Sequence, residues 1–285
     1  MDTFEAHRPY LFAIAYRMVG SVSEAEDMVQ ETYLRFRQVD EAQVASPKAY
    51  LSTIVTRLCL NYLESARIQR EQYLGPWLPE PLLITSDNEP ARTSERLDSI
   101  SMAFLVLLEK LTPYERAVFL LREVFNYDYE EIAAIIGQKA ATCRQYFSRA
   151  KKHLTDHRPR FEVQTKAHTE ITTQFLAACQ TGDLAGLEQL LAEEVVCVTD
   201  GGGKVGAPTR PIIGRDRVAR FLLGLMKQVP AGFRAELALI NGELGIVGRV
   251  KDKITGTAVL DIQNGQIQQI WAVHNPDKLK HLVKG

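Results

Sequence analysis

The stretch DYEEIAAIIGQKAATCRQYFSRAKKHL, residues 128–154, reads as two helices joined by a tight turn. Asp128 is placed to cap the first helix, and Glu131 three residues on completes a capping box. Ile132, Ile135 and Ile136 form an apolar stripe at helical spacing. Ala133 is small enough for a second helix to approach, and Gly137 supplies the left-handed residue that ends a helix. The second helix runs from about Lys139 to Leu154, with Cys143, Phe147, Ala150 and Leu154 on one face. Thr142, Arg144, Gln145, Ser148, Arg149, Lys151 and Lys152 lie largely off that face. Between residues 139 and 158 there are six Lys/Arg against one acid, Asp156. An apolar back and a cationic, hydrogen-bonding front suit a recognition helix in the major groove, where cations meet phosphates and Arg or Gln reach base edges. A solvated basic face carries the same charges. The small residue, the glycine turn and the paired helix favour DNA.

Around this stretch lies a chain of 285 residues, long enough for two or three domains with ample core. Hydrophobic residues make up 46% and charged residues 24%, as in an ordinary soluble protein. The net charge is −1, so any nucleic-acid surface is local. Cys59, Cys143, Cys179 and Cys197 are far apart, without CxxC or Cys/His metal spacing. Neither a disulfide framework nor a zinc site is expected, and no motif calls for a cofactor. A reduced, cytoplasmic setting fits. The opening MDTFEAHRPY is charged and polar, unlike a signal peptide, and no apolar run is long enough to span a bilayer.

Upstream, residues 4–19 carry Leu11, Ile14, Ala15, Met18 and Val19 at helical spacing, closed by Gly20. Ser23 and Glu26 offer a capping box for a second helix over residues 24–37. Its first half is acidic (Glu24, Glu26, Asp27, Glu31), which favours the helix dipole and also suits a basic partner. Ser46 and Pro47 look like the N-cap and first residue of a third helix reaching about Arg70. That helix mixes aromatic and basic groups (Tyr50, Tyr62, Lys48, Arg57, Arg67, Arg70). This suits melting DNA, whose bases stack on aromatic rings, although buried aromatics in a three-helix domain give the same pattern.

YRMVGSVSEAEDMVQETYLRF (residues 16–36) resembles conserved region two of bacterial sigma factors of the extracytoplasmic-function class. LTPYERAVFLLREVFNYDYEEIAAIIG (residues 111–137) with its basic helix resembles region four. The resemblance implies that EAEDMVQETYLR docks on the clamp helices of RNA polymerase, with Asp27, Gln30, Glu31 and Arg35 as contacts. It implies that residues 47–70 recognise and melt the −10 promoter element, with Lys48, Arg57 and Asn61 at DNA. Many members carry Arg-Asn followed by Asp and Arg here. This chain keeps Arg57 but has Leu58, Asn61 and Glu64 at the other positions, which bears on the promoter sequence preferred. Region four is expected to contact the polymerase flap and to read the −35 element through Lys139, Thr142, Arg144, Gln145, Ser148, Arg149 and Lys152.

Between them, residues 71–98 contain four prolines, which argues against a regular helix. WLPEPL (residues 77–82) is unusual for a tether. Trp77, Leu78 and Leu82 are costly to leave in water, at roughly 1.5–3 kcal/mol for a Leu-sized group. The segment is expected to pack on another domain, as an anchor or a regulatory element. Residues 100–110 read as an amphipathic helix, and Thr112–Glu115 as a capping box with Pro113 at its start.

From residue 165 the pattern becomes mixed. Helices are expected over 168–180, 184–191 and 216–228. Strands are expected over 195–199, 233–240, 244–250, 257–262 and 267–273, with Asn241–Gly242 and Asn264–Gly265 as hairpin turns. Helices followed by an antiparallel meander indicate an α+β cone. The order resembles SnoaL-like members of the NTF2-like superfamily. DGGGK (residues 200–204), WLPEPL and NPDKL (residues 275–279) together resemble sigma factors that carry this domain as a C-terminal extension, where it is thought to replace a separate anti-sigma factor. The resemblance then covers nearly the whole chain.

Asp200, Asp261 and His274 are the acid–base groups a catalytic relative would use. No paired carboxylates stand at a telling spacing, and no enzyme activity is expected. Gly201, Gly202 and Gly203 permit backbone closed to other residues. The loop is read as a contact in which Asp200 and Lys204 offer opposite charges to a neighbouring domain. Trp77, Pro79, Glu80, Pro81, Asn275, Pro276 and Asp277 are read as its interdomain or regulatory companions.

The expected architecture is therefore multidomain. Residues 1–70 form a region-two helical bundle and 71–98 a linker. Residues 99–158 form a region-four helix-turn-helix, and 165–285 an α+β SnoaL-like cone. The expected function is promoter-specific transcription initiation with core RNA polymerase, modulated in cis by the cone. The expected partners are core RNA polymerase, promoter DNA and a small-molecule effector in the cone, with no membrane. The alternative is a DNA-binding module fused to a ligand-sensing or enzymatic NTF2-like domain.

Overall fold

The computed structural model describes residues 3–83, 100–155 and 166–283. The contacts divide the chain into two compact units. Among the described residues, the first holds 3–72, 100 and 104–155, and the second holds 73–83, 101–103 and 166–283. The polar second half of the linker and Asp156 lie outside the described residues, as do the side chains of Arg67 and Arg70.

The first unit is all helical. Helix α1 (Thr3–Val19) buries Leu11, Ile14, Ala15 and Met18 and ends at Gly20, whose φ of 69° and amide bond to the Tyr16 carbonyl (2.8 Å) close the last turn. Helix α2 (Val22–Phe36) starts two residues earlier than the Ser23 box implies. Its cap is Ser21, whose hydroxyl accepts the Glu24 amide at 3.2 Å. Both serines stand three residues before a glutamate. The earlier one caps because Val22 is then drawn into the core, at 8% exposed. Helix α3 (Pro47–Glu71) starts behind Ser46, whose hydroxyl accepts the Ala49 amide (3.4 Å), and buries Leu51, Val55 and Cys59 against α1 and α2.

Helix α4 (Met102–Leu108) is shorter than its pattern suggests. Helix α5 (Pro113–Glu123) opens with both halves of the Thr112–Glu115 capping box in place. Helix α6 (Tyr129–Ile136) has its own: the Asp128 amide donates to Glu131 Oε2 and the Glu131 amide to Asp128 Oδ1, both at 2.8 Å. Gly137 follows at φ 70°, and α7 (Ala140–Thr155) completes the helix-turn-helix. A hydroxyl relay joins these parts. Tyr10 donates to Tyr127 (3.0 Å), Tyr127 to Ser52 (2.9 Å) and Ser52 to the Lys48 carbonyl (2.7 Å).

The second unit is α+β. Helices α8 (Lys166–Thr181) and α9 (Leu184–Leu190) lead into β1 (Leu191–Asp200). Leu191, expected in the helix, opens the strand instead and is fully buried there. Then come β2 (Ile212–Ile213), α10 (Arg215–Met226), β3 (Phe233–Ile240), β4 (Glu243–Val250), β5 (Lys253–Gln263), β6 (Gln266–Val273) and α11 (Pro276–Leu279). The sheet runs β2-β1-β6-β5-β4-β3, antiparallel except for the β1–β6 pair. Asn241–Gly242 and Asn264–Gly265 turn their hairpins with four positive φ angles (53°, 80°, 52°, 75°), as type I′ turns require. The sequence does not announce β2, which has two residues, or the β4–β5 turn at Lys251, which takes φ 54° without glycine. Phe175, Leu187, Val195, Cys197, Val218, Ile267 and Ile270 belong to one core that joins the helices to the sheet.

Candidate nucleic-acid interface and linker anchor

Helix α7 turns Cys143, Ala150 and Leu154 inward and leaves Arg144, Gln145, Ser148, Arg149 and Lys152 exposed, with Thr142 half-buried and Lys139 exposed just before its start. The cationic and amide groups therefore share an outward face. Arg144 is braced by Glu130 (3.0 Å) and lies over the Tyr129 ring (5.2 Å). On α2, Asp27, Gln30 and Arg35 are exposed and Glu31 pairs with Arg35 at 2.8 Å. Beside them Leu34 is 48% exposed.

The −10 candidates on α3 behave differently. Asn61 is exposed. Arg57 donates from Nε to the Ile135 carbonyl (2.8 Å) and from Nη2 to the Ala134 carbonyl (3.0 Å), so it caps the C-terminal end of α6. Lys48 lies over the rings of Tyr10 (4.6 Å) and Tyr127 (5.9 Å). Two of the three residues are thus held inside the first unit.

In the second unit the three sequence motifs converge on one carboxylate. Asp200, 0% exposed, accepts from the Tyr73 hydroxyl (2.5 Å), the Leu78 amide (2.8 Å) and Lys278 Nζ (2.7 Å). Lys278 also donates to the Leu78 carbonyl and stands over Trp77 (3.9 Å) and Tyr73 (5.1 Å). Burial, then Asp200, pushes the Tyr73 hydroxyl up from its ordinary value, so it stays a donor. Pro79, Glu80 and Pro81 are buried, and the Pro81 carbonyl bonds His281 (2.8 Å). Leu82 exchanges bonds with Asn241, its amide to Oδ1 (3.1 Å) and its carbonyl with the Asn241 amide (2.8 Å).

The glycines make this approach possible. Gly202 and Gly203 have φ of 59° and 69°, and a Cβ at Gly202 would lie 2.2 Å from the Asn275 amide nitrogen. Asn275 in turn donates to Tyr73 (2.8 Å) and caps Pro276–Leu279 by accepting the Asp277 amide. Asp200 and Lys204 do not form the outward pair of opposite charges expected from DGGGK. Asp200 points inward, and Lys204 pairs with Asp277 of the same unit. Asp277 is held below the usual carboxylate range first by Lys204 and then by Lys280. The reading missed Tyr73 and Lys278. Tyr73 sits four residues before WLPEPL and Lys278 lies inside NPDKL, but nothing in their spacing says that they meet.

The acid–base trio has structural partners. Asp261 bonds the Gln263 amide (2.9 Å). His274 is held below 6.5, first by burial. The unfolded chain therefore takes up a proton near pH 6.5 that the folded chain refuses, so stability falls as pH drops below that value. His274→Gln should flatten the decline in Tm between pH 7 and 5. An identical decline in both proteins would show that His274 does not cause it. All four cysteines are buried and outside any disulfide, with burial pushing Cys179 and Cys197 up to about 12. Among the described residues no cluster could hold a metal, and no helix is long and apolar enough to cross a membrane.

A capped helix-turn-helix with a cationic outward face, joined to a three-helix bundle, is the architecture of a helical DNA-binding protein. The Sigma-70 region 2 family matches residues 3–68, and Sigma-70, region 4 matches residues 101–154. The ECF RNA polymerase sigma factor SigJ of Mycobacterium tuberculosis is 36% identical over 98% of this chain and 92% of its own. The probable ECF RNA polymerase sigma factor SigI of the same species is 33% identical over 98% and 94%. The crystal structure of M. tuberculosis SigJ superposes with a TM-score of 0.77 at 34% identity, covering 97% of both chains. The chain belongs to the extracytoplasmic-function RNA polymerase sigma factors.

Proposed function

We propose that this sigma factor binds core RNA polymerase through the exposed face of α2, with Asp27, Gln30, Glu31, Leu34 and Arg35, and directs initiation in the cytoplasm. It reads the −35 element through α7 and the −10 element through α3. The second unit acts in cis, because the segment that follows α3 is strapped to it through Asp200. The observation that carries this reading is the cationic outward face of α7 behind two capped helices, in a chain that a sigma factor matches over 98% of its length. Arg57 has to leave the α6 carbonyls before it meets DNA, so promoter melting is coupled to release of that contact.

The test is transcription in vitro with core polymerase and a promoter found by selection. The full chain should direct initiation, and Arg149→Glu should weaken it by roughly 10–100-fold, the worth of a lost DNA contact. Normal output from Arg149→Glu would remove α7 from DNA. A chain ending near residue 160 loses the cover of Trp77 and Leu78, and its output should differ from that of the full chain. Equal output would deny the second unit any role in cis.

A further inference from the structure

The second unit contains a half-open cleft of about 130 Å³ that the promoter-binding reading does not use. One wall is Phe221 and Leu225 of α10. The other is Val205, Ala207 and Pro208, the loop that continues DGGGK. At its polar end are His274, Thr255 and Thr199, and the lining carries no lysine or arginine. A dry apolar cavity of about 150 Å³ accommodates one benzene ring, so this cleft is sized for a single ring.

The polar end sets the chemistry. The Thr199 hydroxyl donates to the Pro208 carbonyl and the Thr255 hydroxyl to the Gly248 carbonyl, both at 3.3 Å, so both present lone pairs to a newcomer. Burial keeps His274 neutral, and a neutral imidazole has one N–H and one acceptor nitrogen. The Thr255 backbone opposes the downward shift from burial, as an acceptor near the ring does. The Gly256 backbone lies against the Nδ1 edge, where a Cβ would come within 2.5 Å of that nitrogen. Nε2 is the ring nitrogen away from that contact, and the acceptor role is assigned to it. With acceptors at the polar end and no cation in the lining, the cleft suits a neutral hydrogen-bond donor and disfavours a carboxylate or phosphate.

We propose that this cleft is a binding site for a neutral single-ring aromatic molecule carrying one O–H or N–H, with the ring between Phe221, Leu225 and the Ala207–Pro208 loop and the donor on His274. The seat shares backbone with the linker anchor. The Asp200 carbonyl accepts the His274 amide (2.8 Å), and the Asp200 carboxylate holds Leu78. An occupant therefore braces the loop to which the linker is strapped.

The test is calorimetry on the full chain with p-cresol, p-xylene and benzoate, with no polymerase present, so its result is separable from the transcription experiment. p-Cresol should bind saturably, about fivefold tighter than p-xylene, the worth of one net hydrogen bond, and benzoate should not compete. His274→Phe should make p-cresol and p-xylene equal, and Leu225→Trp should abolish both. No saturable p-cresol binding, equal affinity for p-xylene in the unmodified chain, or tighter binding of benzoate would each overturn the proposal. The probe comparison on the unmodified chain decides the matter even if a variant fails to fold.

Discussion

Asp200→Ala should lower the stability of the second unit by about 3–5 kcal/mol, the cost of leaving a buried charge without its partner. Lys278, 7% exposed at its side chain, would lose its carboxylate while it stays against the Leu78 carbonyl and two aromatic faces. The Tyr73 hydroxyl and the Leu78 amide would lose their acceptor at the same time. Asp200→Asn with Lys278→Met removes both charges and should recover much of the loss, because most of the single-variant cost is a buried cation that has lost its carboxylate. Urea unfolding followed by Trp77 emission in a Trp271→Phe background measures all three proteins. An Asp200→Ala midpoint equal to that of the parent would sink the anchor. Lys204→Glu is the internal contrast. Its partner Asp277 is 40% exposed at the side chain, and an exposed pair is worth about 0–1 kcal/mol. The same loop thus holds a charge that the fold depends on and another that it does not.

The contrast also separates what the sequence makes legible from what it does not. Asp128, Glu131 and Gly137 are readable because a capped helix is a local object, decided within ten residues. The NG hairpins are readable for the same reason. Ser21 and Ser23 show the limit even locally: both satisfy the capping spacing, and the choice falls to the burial of Val22, a tertiary fact. The turn at Lys251 is imposed by the register of β4 on β5 and leaves no glycine as a signal. At the site, the outward face of α7 follows from helical periodicity alone. The partners of Asp200 do not, since Tyr73, Leu78 and Lys278 lie 127, 122 and 78 residues away along the chain. DGGGK shows that something approaches the backbone closely. It does not show that the neighbour is the Asn275 side chain. Arg57 shows the same limit, because a cation on a helix suits a phosphate and the carbonyl end of another helix equally, and its spacing does not say that it meets α6.

The first unit should respond most to Arg116→Ala, again by about 3–5 kcal/mol. The guanidinium is 3% exposed, and its Nη1 donates to the Met18 carbonyl (2.6 Å) in the last turn of α1 and to Glu109 Oε1 (2.7 Å). Arg116 thereby ties the region matched by Sigma-70 region 2 to that matched by region 4. Alanine deprives Glu109, whose side chain is 20% exposed, of this cation, and it opens a cavity beside α5. Arg116→Met keeps most of the volume, and the Glu109→Gln, Arg116→Met pair should be more stable than additivity allows by at least about 1 kcal/mol. Arg57→Ala breaks a second tie between the same regions, α3 to α6, but that residue is exposed. Its two bonds to backbone carbonyls should be worth only about 1–3 kcal/mol. The ranking has a mechanical meaning. Under the proposed function, the contact that opens for α3 to reach DNA has to be the weaker one, while the buried tie sets how the helices are held until then. Urea midpoints for the two alanine variants decide it, and an Arg57→Ala loss equal to or larger than that of Arg116→Ala would mean that the Arg57 contact is structural and is not the one that yields.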